Sequence, residues 1–342
     1  MLLYFFLIAL AVLLLTGLIR YYALNRNVMD IPNPRSSHSV PTPRGGGLAI
    51  VVTFLAALVV LLISQRLSAA HFAALSSAAL VAVIGFCDDH AHVAARWRLL
   101  VHFTAAMLAL WFLGGMPALW LPSPLDELLR RQSLHLDWLG YVLALPMLVW
   151  SLNLFNFMDG TDGIAASEAV FVCSALAGFL YFLDPSLFAV AVSLAAACLG
   201  FLIWNWPRAK IFMGDVGSGF LGLLLGVLIL MAAQQAAVLL YCGLILFGVF
   251  VVDATYTLAI RFASGQKWYD AHCSHCYQRA AKRYGHSSVL IACWLINLGW
   301  LLPWAVWVFL HPAYALLGMT VAYAPLLVLC YRFKAGRAEV AP

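Results

Sequence analysis

Charge is what this sequence has least of. Its 342 residues include 19 Lys or Arg and 14 Asp or Glu, so charged side chains make up 10% of the chain. Soluble domains carry roughly 25%. Too few charges are present to coat a water-facing surface, and 65% of the residues are hydrophobic. A period-2 alternation of apolar and polar residues is also missing, which excludes a transmembrane barrel in favour of helices. The first apolar run has no basic segment before it, since its first cation is Arg20, so a retained span is expected there rather than a cleaved signal peptide. There is no low-complexity tract, no repeat and no soluble domain, so residues 1–342 read as one helical membrane domain.

What is there is a series of apolar runs about as long as a bilayer is thick. Eleven spans are expected, near 1–20, 47–64, 69–86, 99–115, 139–155, 165–183, 187–205, 217–234, 236–260, 287–310 and 312–331. With the N-terminus outside (periplasmic), 16 of the 19 cations fall on the inner side, leaving only Arg66, Arg130 and Arg131 outside. The positive-inside rule then puts the C-terminus in the cytoplasm of an inner (plasma) membrane. The net charge of +5 is a topology signal on this reading, and no nucleic-acid partner is implied. Five of the eight cysteines (Cys173, Cys198, Cys242, Cys293 and Cys330) sit in apolar runs, where thiols pack as small hydrophobes. Cys87, Cys273 and Cys276 fall on the reducing side, so no disulfide framework is expected.

The polar sequence concentrates in inner loops 21–46, 87–98, 156–164, 206–216 and 261–286. Asp88, Asp89, Asp159, Asp162, Asp215 and Asp270 lie there, with His38, His90, His92, His272, His275 and His286. Acids near span ends are costly in lipid and tend to be functional. The clustering points to an active site on the cytoplasmic face.

Five segments carry the chemistry. Asp88-Asp89 closes the third span, and adjacent carboxylates at an interface suit Mg²⁺ shared with phosphate oxygens. Asn153, Asn156, Asp159 and Asp162 recur every three residues, which in a helix makes one polar stripe. Gly160 and Gly163, flanking Thr161 and Asp162, permit close backbone approach. In the third segment, Asn205 to Gly219, a Gly-rich turn enters a helix whose free N–H groups suit a phosphate, with Phe212 before it and Asp215 placed to ligate a metal. Arg208 and Lys210 read equally well as substrate contacts or topology anchors. The fourth, His272-Cys273-Ser274-His275-Cys276-Tyr277-Gln278-Arg279, holds a single C-x-x-C, a weak zinc signal. Two imidazoles and Arg279 as donors to phosphate is the better reading. The fifth, Arg35 to Gly47, is basic and Gly/Pro-rich, with His38 and Arg44 favourable to anions.

In this order the motifs resemble the polyprenyl-phosphate N-acetylhexosamine-1-phosphate transferases, over nearly the whole chain from Asp30 to Arg283. The resemblance implies a polytopic protein that moves a sugar-1-phosphate from a UDP-N-acetylaminosugar to undecaprenyl phosphate, with UMP leaving. It implies Mg²⁺, with Mn²⁺ as the alternative, on Asp215 beside Asp88 and Asp89. It implies Phe212 stacked on uracil, a nucleotide pocket from Asn153, Asp159, Gly160, Thr161, Asp162 and Asn205, and His272 and His275 near the diphosphate. The form His-Cys-Ser-His lacks the three consecutive histidines of the MraY (muramoyl-pentapeptide) branch. The WecA form of the motif also differs, and His-Cys-Ser-His-Cys-Tyr-Gln-Arg looks more like the WbpL form, so the chain is placed nearest the WbpL/WecA branch that starts O-antigen chains on lipopolysaccharide. A third acid sometimes found after the aspartate pair is replaced by His92. A muramoyl-pentapeptide substrate is the runner-up within the family, and a homodimer is compatible with it. A transporter is the competing class, because Asp253 lies at membrane depth. Transporters, however, usually place their polar groups at the midplane of several spans.

Overall fold

The computed structural model describes residues 2–32, 38, 40–91, 93–267 and 272–338. His92 and Asp270 therefore lie outside the described residues. The chain is helical nearly throughout. Helix α1 (Leu2–Asn25) is followed by a two-residue hairpin, β1 (Met29–Asp30) with β2 (Thr42–Pro43), which leads into α2 (Gly47–Ile63). Helices α3 (Ala69–Ser76) and α4 (Ala78–His90) form one apolar span, and α5 (Ala95–Leu113) returns. A second small hairpin, β3 (Leu119–Trp120) with β4 (Ser133–Leu134), brackets the short α6 (Leu125–Leu129). Then come α7 (Asp137–Met158), α8 (Ile164–Leu183), α9 (Pro185–Asn205) and α10 (Asp215–Gln235). Helices α11 (Leu239–Leu246) and α12 (Gly248–Ala263) meet at a 72° bend. The short α13 (Cys276–Tyr284) precedes α14 (His286–Ile296), α15 (Leu302–Leu310) and α16 (Ala315–Arg332).

Among the described residues, eight helices are long and apolar enough to cross a membrane, or nine when the bent pair counts as one span. Every expected apolar run is a helix or a helix pair, so the chain is an all-α polytopic membrane protein. The count is smaller than the eleven expected because α2, at 17 residues, is short for a span, and α5 carries two arginines in its first turn. Apolar side chains such as Leu14, Leu18, Trp111, Phe182 and Leu295 are exposed, as suits an exterior that faces lipid.

At the centre stands α10, whose span is wholly buried. It packs on α7, α4, α2 and α11. Gly222 and Gly226 make the α7 contact close. A Cβ at Gly222 would come within 2.7 Å of the Ser151 carbonyl, and the Ser151 hydroxyl donates to the Gly222 carbonyl at 2.7 Å. Small residues one turn apart let membrane helices approach this closely. Local signals elsewhere are as strong. Asp184 caps α9 by accepting from Ser186 N (2.8 Å) and Leu187 N (3.1 Å), with Pro185 in the first turn. A π turn at Asn297–Leu301 joins α14 to α15, and Pro303, which has no N–H to donate, is the second residue of α15.

Candidate active site

The half-buried N-terminus of α10 organises the polar end of the bundle. Gly214 enters the helix at φ +77°, a conformation other residues rarely adopt, and a Cβ there would meet Asp89 Oδ2 at 2.5 Å. Asp89, itself only 4% exposed, accepts from Asp215 N and Val216 N at 3.2 Å each. A carboxylate on the free N–H groups of a helix N-terminus is favourable. Arg44 from the first hairpin donates to the Asp89 carbonyl. The neighbouring Asp88 turns the other way. It accepts from Arg98 at 2.7 Å and from Val93 N at 2.7 Å. Arg98 also reaches Asp215 at 3.4 Å. The second Asp215 oxygen accepts from Asn156, 2.9 Å away, and the same amide donates to Ser218 Oγ at 2.8 Å.

The expected polar stripe is only partly helical. Asn153 and Asn156 lie on α7, but the helix ends at Met158, and Asp159 and Asp162 belong to the following turn. Asn153 bonds back to the Val149 carbonyl at 2.7 Å. Asn205 clips two loops together, accepting from Gly163 N and donating to the Ile211 carbonyl, both at 2.9 Å. Asp162 pairs with His286 at 3.2 Å and accepts from Ala209 N at 3.2 Å.

These loops surround a polar cavity of about 200 Å³. His38, Arg44, Asp89, Asn156, Asp159, Gly160, Thr161, Asp162, Asn205, Phe212 and Asp215 all line it, so the structure gathers most of the residues singled out in the sequence. Phe212 meets the His38 ring edge-on, centroids 4.9 Å apart. Four further wall residues, Asp30, Ser218, Gln278 and His286, carried weaker sequence signals: Asp30 is where the resemblance begins, Ser218 lies in the Gly-rich turn, Gln278 in the histidine segment, and His286 among the clustered histidines.

Asn153 faces a second cavity, larger at about 630 Å³ and mostly apolar, lined by Val81, Ile84, Leu99, Phe103, Val149, Trp150 and Leu258 among others. Arg98 and His102 also line it. The two cavities share two residues, Asn156 and Asp215.

The histidine loop is placed differently from the sequence expectation. His272, His275 and Arg279 do not line the polar cavity; Gln278 does. His275 is buried and its Nδ1 lies 3.3 Å from Asp253, which also accepts from Cys276 N and Tyr277 N, each at 2.9 Å. Asp253 thereby holds the first turn of α13, so this membrane-depth acid is a clamp on the loop. His272 stacks on His275 with centroids 4.9 Å apart, and His275 in turn stacks on Phe157, which walls the apolar cavity. Burial first, then His275 and Arg261, push the His272 imidazole down to about 3, so it is a neutral donor at physiological pH. Arg279 donates to the Arg337 carbonyl. Arg20 donates to the Lys210 carbonyl at 3.1 Å, and both cations lie over Trp204, which favours anchoring for Lys210.

The polar cavity collects the carboxylates of Asp30, Asp89, Asp159, Asp162 and Asp215 against few cations. Burial first, then the charges of Asp215, Asp89 and Asp162, push the Asp159 carboxyl well above its ordinary range. Among the described residues no three His, Cys, Asp or Glu side chains converge as a ready-made metal cage. Mg²⁺ does not require one, because it keeps several waters and takes one or two carboxylates plus substrate phosphates. The crowding of hard oxygen donors around Asp159 and Asp215 fits such an ion. Asp88 and Asp89 are engaged by Arg98 and by α10.

Residues 71–233 match the family described as glycosyl transferase family 4. The chain is 29% identical over 79% of its length to a protein of Bacillus subtilis named "Probable undecaprenyl-phosphate N-acetylglucosaminyl 1-phosphate transferase", covering 74% of that protein. It is 35% identical over 62% of its length to the decaprenyl-phosphate N-acetylglucosaminephosphotransferase of Mycolicibacterium smegmatis, of which it spans 55%. A 113-residue stretch is 43% identical to a phospho-N-acetylmuramoyl-pentapeptide-transferase of Synechococcus, covering 33% of each chain.

Proposed function

We propose that this chain, a member of the polyprenyl-phosphate hexosamine-1-phosphate transferases, transfers an N-acetylated aminosugar-1-phosphate from a UDP-sugar to undecaprenyl phosphate. UMP leaves, and the product starts an O-antigen or related envelope polysaccharide at the cytoplasmic face of the inner membrane. The observation that carries the reading is the meeting of two cavities at Asp215 and Asn156, one polar and one apolar. A nucleotide sugar suits the first. A polyprenyl chain suits the second, which brings its phosphate to the junction.

The reaction is a displacement at phosphorus. An oxygen of the lipid phosphate bonds to the β-phosphorus, the bond from that phosphorus to the bridging oxygen breaks, and the bridging oxygen leaves on UMP. The sugar C1–O bond is untouched, so the anomeric configuration is retained. The attacking phosphate is already an anion near neutral pH, its second pKa being about 6. Positioning and charge neutralisation therefore outweigh proton removal. Arg98, at the edge of the apolar cavity between Asp88 and Asp215, is placed to receive the acceptor phosphate. Asn156 fixes the Asp215 carboxylate, and Phe212 offers an aromatic face for the base. Mg²⁺ or Mn²⁺ on Asp215 and Asp159 would neutralise the diphosphate oxygens.

Membranes containing the chain, supplied with undecaprenyl phosphate and a panel of radiolabelled UDP-N-acetylaminosugars, test this. Labelled lipid appearing with stoichiometric UMP is expected for one or more sugars. Label entering vesicles unchanged, with no UMP, would indicate transport and end the proposal.

A further inference from the structure

The transferase reading leaves the cavity behind the histidine loop unused. Behind the histidine loop, α12, α13, α14 and α16 enclose an apolar space of about 400 Å³. Val249, Val289, Cys293, Ile296, Leu326 and Cys330 form most of its wall. None of its lining residues borders either cavity that meets at Asp215. Three lining residues on α13 and α14, Tyr284, Ser288 and Ala292, are exposed, so the space opens on the outside of the bundle.

The mouth is edged with cations. The Tyr284 and Phe333 rings meet edge-on there, centroids 6.3 Å apart. The Arg283 guanidinium lies over Tyr284 at 5.2 Å, and Arg332 and Lys334, both exposed, flank Phe333 in sequence. Helix α13 buries Tyr277, Gln278 and Ala281 and turns Lys282 and Arg283 outward, the pattern of a basic helix lying at a membrane surface. Topology alone accounts for cations at this face. It does not account for an apolar space opening between them.

We infer that this cavity binds an anionic glycerophospholipid of the surrounding leaflet, with one acyl chain inside and the phosphate on Arg283, Arg332 and Lys334. A soluble anion would use the cations and leave the cavity idle, and a zwitterionic lipid would do the reverse. Polyprenyl phosphate shares the chemistry, but its phosphate has to reach Asp215, which lines the other cavities. Basic pockets between membrane helices are recurrent sites for anionic headgroups. The back wall gives the binding a consequence. It contains Asp253, Cys276 and Tyr277, the clamp that holds α13, and the Tyr277 hydroxyl donates to the Phe157 carbonyl at 2.9 Å beside Asp159. An occupant that packs there stabilises the loop over the site by mass action.

The test uses the full chain purified in detergent and reads binding, not transfer, so its failure is separate from failure of the transferase reading. Native mass spectrometry and thermal melting are run with phosphatidylglycerol and with phosphatidylcholine. Wild type is expected to retain one phosphatidylglycerol per chain and to melt higher with it. Replacing Arg283, Arg332 and Lys334 by Gln should weaken retention about fivefold per cation, on the order of a hundredfold together. Ala292→Trp, which plugs the mouth, should abolish the lipid-dependent rise in melting. If that variant does not fold, the triple Gln variant, changed only at exposed residues, decides alone. Equal retention of both lipids, or retention unaffected by the Gln changes, overturns the proposal. Displacement of phosphatidylglycerol by undecaprenyl phosphate overturns it as well, by making this an acceptor site.

Discussion

Asp89 separates two roles that its position in a paired-acid motif leaves together. If it supports the entry to α10, Asp89→Asn acts on folding. The carboxylate is 4% exposed and accepts from two backbone N–H groups at 3.2 Å. Bonds to a buried charged acceptor contribute about 1.5–3 kcal/mol each, and a negative charge at a helix N-terminus adds up to about 2 kcal/mol. The amide keeps one accepting oxygen but turns an NH₂ toward the other N–H. One charged bond and the charge are lost, a cost of about 2–4 kcal/mol. Thermal melting in detergent should show a clearly lower midpoint for Asp89→Asn. Asp88→Asn removes the charge from a partly buried pair, its side chain 11% and that of Arg98 33% exposed, but leaves an accepting oxygen and no helix N-terminus without its carboxylate, and should cost less, about 1–2 kcal/mol. The two variants should part in the other direction in the transfer assay, where Asp88→Asn loses activity while staying folded. A variant Asp89→Asn that melts with wild type and recovers activity at high Mg²⁺ would refute this and make Asp89 a metal ligand.

Asp215→Asn should lower kcat by orders of magnitude with an unchanged melting midpoint; near-normal turnover removes Asp215 from the site. Phe212→Ala should weaken UDP-sugar binding by about 1–3 kcal/mol, the scale of a base–aromatic stack, with Phe212→Trp milder; an unchanged KM puts uracil elsewhere. Because Asp159 is raised, the folded chain holds a proton that the unfolded chain releases near its ordinary value of about 3.9. Stability should therefore fall as pH rises from there through the raised folded value, and Mg²⁺ should offset the fall while releasing a proton; a Mg²⁺ effect on melting that does not vary with pH contradicts this. Cys273→Ser and Cys276→Ser should stay active, since a hydrogen bond with the free Cys330 thiol first, and then burial, hold the Cys276 thiol protonated. His275→Ala should lose both activity and stability through the Asp253 clamp. Stoichiometric zinc with dead cysteine variants would reverse that reading.

The membrane class, the helices and the main cavity-lining residues were legible in the chain itself, because they depend on composition and short spacing. Twenty apolar residues in a row have few alternatives to a helix in lipid. Glycines beside acids mark loops wherever the rest of the fold lies. The direction in which each polar group turns was not legible. Asp88 and Asp89 are neighbours, yet one faces Arg98 and the other caps α10. The stripe from Asn153 to Asp162 breaks where α7 ends. Asp253 reads as a lone acid in an apolar span, and only the packing of α13 against α12 turns it into the clamp of the histidine loop. The junction of a polar with an apolar cavity at Asp215 joins segments more than a hundred residues apart. Local pattern sets what each segment is, because its backbone bonds and apolar surface are satisfied within or beside it. Which side chains meet is decided by how α10 packs at the centre, and no short stretch of sequence carries that.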